Sequence, residues 1–336
     1  MYFGYVGGVK AYNAANGAPI WTYTNGVIQT FSSPAVAEGR VYVGCGDNSV
    51  YALDASSGAL VWKYTTGSWI FASPAVVNGV VYIGSYDGNM YALDASNGRL
   101  IWQHRIGSWV YSSATVVDGM VYVGSDTGFH ALNASAGNIR WTFGSGDTKS
   151  SPCIVDNVVY FGSINRNFYA LNTTSFGTML WRYTLGNWSD GSPVWAGGVV
   201  YTTARDGYVY ALNASSGALI WTYGTGDQMI SSPAVAGSVV YVGSNNSNVY
   251  AFGSSETSYF PTATPAPTQG STTNPSNPTP TTPPILPTPT PTPLPRPALT
   301  VACISSATPS GYNVEIRGNL TAEQRGLSEA PISISY

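Results

Sequence analysis

The chain has 336 residues, with 13 Lys and Arg, 16 Asp and Glu, and a charged fraction of 9%, against roughly 25% in an ordinary soluble domain. A net charge of −3 leaves no basic surface to neutralise a phosphate backbone, which excludes nucleic-acid binding, and no apolar run approaches the ~18 residues of a membrane helix. The 38 Gly and 24 Tyr favour β-structure built on turns and aromatic packing over helices.

From the N-terminus, Met1 is followed by Tyr-Phe-Gly-Tyr-Val, without the basic stub and apolar core of a signal peptide. A repeat then dominates the chain. Trp21, Trp62, Trp102, Trp141, Trp181 and Trp221 lie 41, 40, 39, 40 and 40 residues apart, and each closes a phrase of the type ALDASSGALVW (Ala52 to Trp62). Upstream of that phrase runs a second one, SSPAV…VYVGS. Each unit predicts four short strands, A (SPAVV), B (VYVGS), C (VYALD) and D (LIWTYT). Two-residue turns such as Asn78-Gly79, Asp118-Gly119, Asp156-Asn157 and Gly197-Gly198 join A to B, and such pairs tolerate the positive φ of tight hairpins. Strands this short, at this period, predict the radially stacked blades of a β-propeller.

Strands B and C are expected seven times, and A and D six times, 26 strands in all. The first blade lacks A, and the last stops at Tyr250-Ala251-Phe252-Gly253 without D. The missing pair are neighbours in the repeat, so one lost segment of roughly twenty residues would close a seven-bladed ring; eight blades is the alternative. Met1 is therefore expected to be an internal or truncated start, with a signal peptide lost upstream.

Three domains are expected: a propeller over 1–253, a linker over 254–297 and a β segment over 298–336. Between Phe260 and Pro297 stand 14 of the 22 prolines, interleaved with Thr; this density predicts a disordered or polyproline II linker, read either as a stiff stalk or as a plain tether. In 298–336, ALTVACIS, YNVEIRGNLT and PISISY alternate apolar and polar residues. Under half the length of a ~100-residue sandwich is present, so these strands are expected to lack partners.

The phrase A-x-[DN]-x-x-x-G-x-x-x-W resembles the tryptophan-docking motif of PQQ-like (quinoprotein-type) propeller repeats. It fits at Ala11 to Trp21, Ala52 to Trp62, Ala92 to Trp102, Ala131 to Trp141 and Ala211 to Trp221, and at Ala170 to Trp181 with one inserted residue. The resemblance implies that the six tryptophans dock between blades and that the Asp or Asn orders the turn. The family includes dehydrogenases, assembly scaffolds, sensor domains and surface proteins, so the resemblance specifies fold more than function. Gly318-Asn319-Leu320-Thr321 and APISISY resemble the opening strands of a bacterial or archaeal Ig-like surface domain.

Most chemistry-bearing residues fall in slots of the repeat. His104 aligns with Tyr64 and Tyr223, and His130 with Tyr51, Tyr91 and Tyr210, so both read as aromatic replacements. Cys45 aligns with Ser85 and Cys153 with Ala35, as small packed residues. No Cys or His spacing suits zinc, and no metal site is expected. Asp54, Asp94, Asn133, Asn172 and Asn213 recur once per blade at the turn, where such side chains bond their own backbone. Several N-x-[ST] sequences lend slight support to secretion.

The loop from D to the next A differs. In a propeller its last residues line one mouth of the central channel. Three residues before the SSP phrase stand Gln29, Trp69, Trp109, Asp147, Trp188 and Gln228; immediately before it stand Phe31, Phe71, Tyr111, Lys149, Asp190 and Ile230. These positions diversify while staying large, aromatic or polar, and could stack a sugar or hold a peptide; they could equally plug the channel. The resemblance to quinoprotein dehydrogenases would imply PQQ with calcium, a carboxylate base, a stacking Trp and an adjacent Cys pair. No Cys-Cys dipeptide exists, and Glu38, the only Glu of the propeller, sits in an A–B turn. The expectation is a non-enzymatic recognition or scaffold module of a secreted or surface-anchored prokaryotic protein. It would be monomeric, bind a protein or carbohydrate ligand at the mouth and need no cofactor. A PQQ-dependent dehydrogenase and a purely structural spacer are the alternatives.

Overall fold

The computed structural model describes residues 1–29, 32–237 and 239–253, with backbone alone for 6 and 25–29, and the backbone of strands within 299–335. The expected linker lies outside the described residues. The secondary structure described is all β. The chain divides into two compact units, Met1–Ala234 with Val242–Ser247, and Val235–Tyr241 with Asn248–Tyr336.

In the first unit, strands β1 (Tyr2–Tyr12) and β2 (Pro19–Gln29) form a two-stranded sheet. Five four-stranded antiparallel blades follow. They are β3–β6 (Ala35–Ala37, Arg40–Gly44, Ser49–Asp54, Leu60–Thr65) and β7–β10 (Ala75–Val77, Val80–Gly84, Asn89–Asp94, Leu100–Arg105). Next come β11–β14 (Thr115–Val117, Met120–Ser125, Gly128–Asn133, Ile139–Phe143) and β15–β18 (Cys153–Val155, Val158–Gly162, Asn167–Asn172, Thr178–Thr184). The fifth is β19–β22 (Val194–Ala196, Val199–Thr203, Tyr208–Asn213, Leu219–Gly224). In each blade the four strands lie side by side in chain order, as the A–B–C–D reading requires. β23 (Ala234–Ala236), β24 (Val239–Gly243) and β25 (Val249–Phe252) make a three-stranded sheet. In the second unit β26 (Leu299–Thr308), β27 (Gly311–Leu320) and β28 (Ile332–Ser335) pair with one another. The expectation that these strands lack partners is corrected to that extent.

The first blade is also corrected. Its expected strands B and C run as the single strand β1, so among the described residues 25 strands rather than 26 lie between Tyr2 and Phe252. The segment has no Asp-Gly pair to reverse it. Instead Gly7 and Gly8 take φ of 115° and 153°, and the register against β2 shifts between Val6 and Gly8. A Cβ on Gly8 would meet the Tyr23 carbonyl oxygen, so glycine lets the bulged strand press against its neighbour. The A–B turns are as expected: Asn78-Gly79 takes φ of 51° and 74°, and Asp118-Gly119 takes 50° and 71°.

There is no single core. Buried clusters form between successive blades, such as Tyr42, Val50, Trp62, Ile70, Val81, Ile83 and Leu93 between the blades of β3–β6 and β7–β10. The repeated phrase builds this seam. Ala52 pairs with Trp62 and Ala92 with Trp102, a small residue opposite each large one. The Asp54 carboxylate accepts hydrogen bonds from the backbone of Ser56 and Ser57 and from both hydroxyls, which hold its pKa down at about 2. The turn so closed brings Gly58 against the previous blade's Trp21; Gly98 faces Trp62, and Gly137 faces Trp102, in the same way. A Cβ at these three glycines would stand 2.5–2.7 Å from the indole. The inserted residue before Trp181 is absorbed at Phe176, so that Gly177 still faces Trp141.

Four of the indoles also reach a carbonyl of that turn. Trp21 Nε1 donates to Ala55 O, Trp62 to Ala95 O, Trp102 to Ala134 O and Trp181 to Ala214 O, all at 2.8–2.9 Å. The same carbonyls accept the hydroxyls of Tyr2, Tyr42, Tyr82 and Tyr160 at 3.0–3.2 Å. Trp141 is buried against Tyr122 and Phe129, and Trp221 is half-buried beside Tyr201. At the opposite edge of the blades a serine girdle joins the A-strand entries. The amides of Ser33, Ser73, Ser113, Ser151 and Ser192 each donate to the hydroxyl oxygen of the next, ending at Ser232.

Candidate functional site

The loop preceding the A strand follows a common plan at its end in five blades. Its middle residue points into the seam: Ile70, Val110, Thr148, Ser189 and Met229 are all buried. Hydrogen bonds tie this residue down in the first four, where the Ile70, Val110, Thr148 and Ser189 amides donate to Cys45 O, Ser85 O, Ser125 O and Ser163 O. The preceding carbonyl accepts from the following B–C loop, as Tyr86 N to Trp69 O at 2.8 Å and Arg205 N to Trp188 O at 2.8 Å. With the middle residue inside, its two neighbours must face outward, and these are the diversified positions.

The structure gathers most of them into two groups. Trp69, Phe71, Trp109 and Tyr111 form an aromatic sheet with Tyr86: Phe71 stacks on Tyr111 at 5.3 Å and 18°, and Tyr86 lies parallel to Trp109 at 6.3 Å. Trp69 meets Phe71 edge-on at 6.0 Å. Trp69 stays 54% exposed and Trp109 and Tyr111 40% each.

The second group is charged. Lys149 Nζ lies 6.0 Å from the Tyr111 ring centre and 4.0 Å from Asp147 Oδ2. Arg205 pairs with Asp190 through Nε and Nη2, both 2.5 Å from Oδ2, and lies over the Trp188 ring at 5.4 Å. Burial pushes the Asp147 carboxyl up, against the pull of Lys149. Its Oδ1, and Oδ1 of Asp190, are buried without a hydrogen-bond donor among the described residues. Gln228 and Arg205 line a common groove of about 510 Å³ with Asp206, Tyr208 and Asp227.

Phe31 and the side chain of Gln29 lie outside the described residues. Tyr86 and Arg205 were not singled out from sequence. They occupy the first position after the VYVGS phrase, where Asp126, Ile164 and Asn245 stand in other blades; that position diversifies as the mouth does, and aligning it would have found them.

The remaining candidates are packing residues. His130 is 3% exposed, with Nε2 2.8 Å from Ser125 Oγ and Nδ1 3.0 Å from Thr142 Oγ1. Cys45 is buried and Cys153 half-buried, and neither forms a disulfide among the described residues. Among the described residues no group of three or more His, Cys, Asp or Glu is placed to hold a metal. The two mouth carboxylates face Lys149 and Arg205, so a calcium ion would have to displace a cation from each. The described residues thus do not fit a calcium-bound quinone.

A family model described as outer membrane protein assembly factor BamB matches residues 6–141, 97–187 and 174–258, more than half of the chain. No curated protein sequence matches. Among solved structures, the chain is similar to BamB from Moraxella catarrhalis, at TM-score 0.66 and 24% identity over 77% of this chain and 80% of that one. It is similar to the computationally designed Ika8 protein at TM-score 0.65 and 16% identity, over 74% and 78%. It also resembles the quinohemoprotein alcohol dehydrogenase ADHIIG from Pseudomonas putida HK5, at TM-score 0.51 and 21% identity, over 58% of this chain and 42% of that one. At these identities the structural likenesses speak for the propeller fold alone.

Proposed function

The chain belongs to the PQQ_2 propeller-repeat family, and from that premise we propose that it is a non-enzymatic recognition and scaffold module of the cell envelope. It works at the cell surface or outside the cell and holds a protein or glycan ligand at the loop mouth. The observation that carries this reading is the contrast within each loop: a buried middle residue and a carbonyl bonded to the B–C loop recur in five loops, while the flanking side chains differ from blade to blade and Trp69, Trp109, Tyr111, Trp188 and Ile230 stay exposed. Exposed aromatics supply rigid contact area, and the flanking Asp, Lys and Arg supply orientation. A site for turnover would need an activated nucleophile, or an acid and a base facing one reacting atom; the mouth carboxylates instead face cations. An assembly factor as the family's namesake fits a module that binds without chemistry.

The test is capture. The full chain, immobilised, is exposed to envelope protein extract, to a peptide array and to a glycan array, with Trp69→Ala/Trp109→Ala as the comparison. Binding that the double variant loses, while both proteins melt alike, is the expected result. Equal capture by both proteins would remove the mouth as the binding surface.

A further inference from the structure

We infer that Asn133, Asn172 and Asn213 are N-glycosylation sites, three glycans carried on consecutive blades at the face away from the mouth. This rests on the cell-envelope reading above, since N-x-[ST] acceptors are modified in chains that leave the cytoplasm.

The starting point is what a C–D turn needs. In the five four-stranded blades the turn opens on Asp54, Asp94, Asn133, Asn172 or Asn213, and Oδ1 accepts the backbone N–H two residues ahead at 2.8–3.1 Å. The hydroxyl of that residue donates to the same oxygen, Ser135 at 2.7 Å, Thr174 at 2.8 Å and Ser215 at 2.7 Å. Closing the turn takes one oxygen and nothing more, and a carboxylate accepts such bonds more strongly than an amide. Aspartate is therefore the better residue for the turn alone, and it stands in the blades of β3–β6 and β7–β10.

Asparagine in the next three blades gives up that charge and adds an Nδ2 donor for which the turn has no use. Nδ2 of each of the three donates no hydrogen bond among the described residues and is open to solvent. Asn165 and Asn246 show the contrast, since their Nδ2 atoms are spent on Ser145 O and Thr225 O, each at 2.7 Å. What Asn133, Asn172 and Asn213 supply beyond the turn is an outward amide nitrogen two residues before a hydroxyl, the acceptor of N-linked glycan transfer.

Their place suits a glycan. Ala134 N donates to Gly119 O, Thr173 N to Asn157 O and Ala214 N to Gly198 O, so each C–D turn lies beside its own A–B turn, at the blade end opposite the mouth loops. Glycans there leave Trp69, Trp109 and Trp188 uncovered. Asn187-Trp188-Ser189 and Asn245-Asn246-Ser247 share the pattern of letters but belong to the loops of the mouth, and they are not proposed as sites.

In the transfer, Nδ2 loses one proton to a base of the transferase and bonds to the anomeric carbon of a glycan carried on a lipid phosphate. The bond from that carbon to the phosphate oxygen breaks, and the leaving phosphate keeps the electron pair. Ala134 and Ala214, between amide and hydroxyl, are buried, and Trp102 and Trp181 hold their carbonyls. Transfer therefore precedes closure of the turn. Closure needs only Oδ1, so the modified nitrogen is left outside.

The test uses the full chain purified from its own cells, with peptides mapped by mass and the cell fraction recorded. Expected is a glycan on each of the three asparagines, lost from one site at a time in Ser135→Ala, Thr174→Ala and Ser215→Ala. The triple variant Asn133→Asp/Asn172→Asp/Asn213→Asp keeps the turns, as Asp54 and Asp94 do, and should fold with three bare peptides. A native chain found outside the cytoplasm with all three peptides bare would overturn the inference and keep the envelope reading. A chain found in the cytoplasm and bare would overturn both. Added mass that survives the Ser and Thr variants would overturn the inference too, because that modification would not depend on the N-x-[ST] hydroxyl.

Discussion

The seam between blades and the mouth beside it come from the same repeat, some seven residues apart, yet one is copied in every blade and the other is not. The difference is steric slack. At the seam Trp, Gly and Ala interlock: Gly98 has no room for a Cβ beside Trp62, and its φ of 73° suits few other residues. At the mouth the buried residue between the two outward positions fixes the backbone, so the outward side chains can change without disturbing it. Repetition therefore marks what holds the molecule together, and departure from repetition marks what distinguishes it.

The sharpest way to break this comparison is one substitution made twice, at Trp102 and at Trp109. Trp102 is 8% exposed and bonded to Ala134 O; Trp102→Ala opens a cavity in the seam and leaves that carbonyl with only Tyr82. A loss of about 3–5 kcal/mol is expected, read as a drop in urea midpoint. Trp109→Ala, at 40% exposure, should shift the same midpoint by about 1 kcal/mol or less and act on ligand capture instead. Equal destabilisation would mean that the mouth aromatics are structural.

A second test sits where one blade departs from the rule inside its packed part. Tyr91 and Tyr210 donate to Asp87 and Asp206 of their own B–C loops at 2.6 and 2.5 Å. In the blade of β11–β14, Thr127 stands in place of the Asp and His130 in place of the Tyr. Burial holds the His130 imidazole down at about 4, from 6.5, with Asp126 opposing. The unfolded chain then takes up this proton first as pH falls. Its contribution to stability is full above pH 6.5 and declines through the interval down to about 4, by about 3 kcal/mol in all. Urea midpoints at about pH 7.5 and about 4.5 should differ more for the native chain than for His130→Gln. Equal differences would show that the imidazole titrates freely.

Much of this was legible beforehand, for reasons the residues make plain. Identical contacts in successive blades write themselves as identical letters, so Trp62, Gly58 and Asp54 revealed blade, turn and strand order. The Tyr hydroxyls that join the indoles at the turn carbonyls, a latch across the seam, were hidden because Tyr42 and Tyr82 also read as ordinary strand residues; nothing in VYVGS says that a hydroxyl crosses to the next blade. The serine girdle hid likewise inside SSP. The first blade was misread because its strands were inferred from spacing, whereas Gly7 and Gly8 carry the chain straight on. Trp69, Phe71, Trp109 and Tyr111 stood out by their variability, and the structure sets them side by side. Arg205 stands at a B–C loop position that diversifies too, but its contact with Asp190, 15 residues away, is not written in the repeat.

The smallest expected effect asks whether the seam needs two donors or one. Tyr82→Phe removes the hydroxyl that reaches Ala134 O at 3.2 Å and changes no ring contact, so the 5.9 Å packing on Trp102 remains. The carbonyl keeps the indole N–H at 2.8 Å, so no acceptor is orphaned and the loss is that of one neutral hydrogen bond, about 1 kcal/mol. In the Trp102→Ala background the same change should cost more, because Tyr82 is then the carbonyl's remaining donor in the latch. A double-mutant cycle on urea midpoints measures that difference. A coupling of about zero would mean that Trp and Tyr hold the seam independently, and the latch would then be two contacts that share an acceptor rather than one unit.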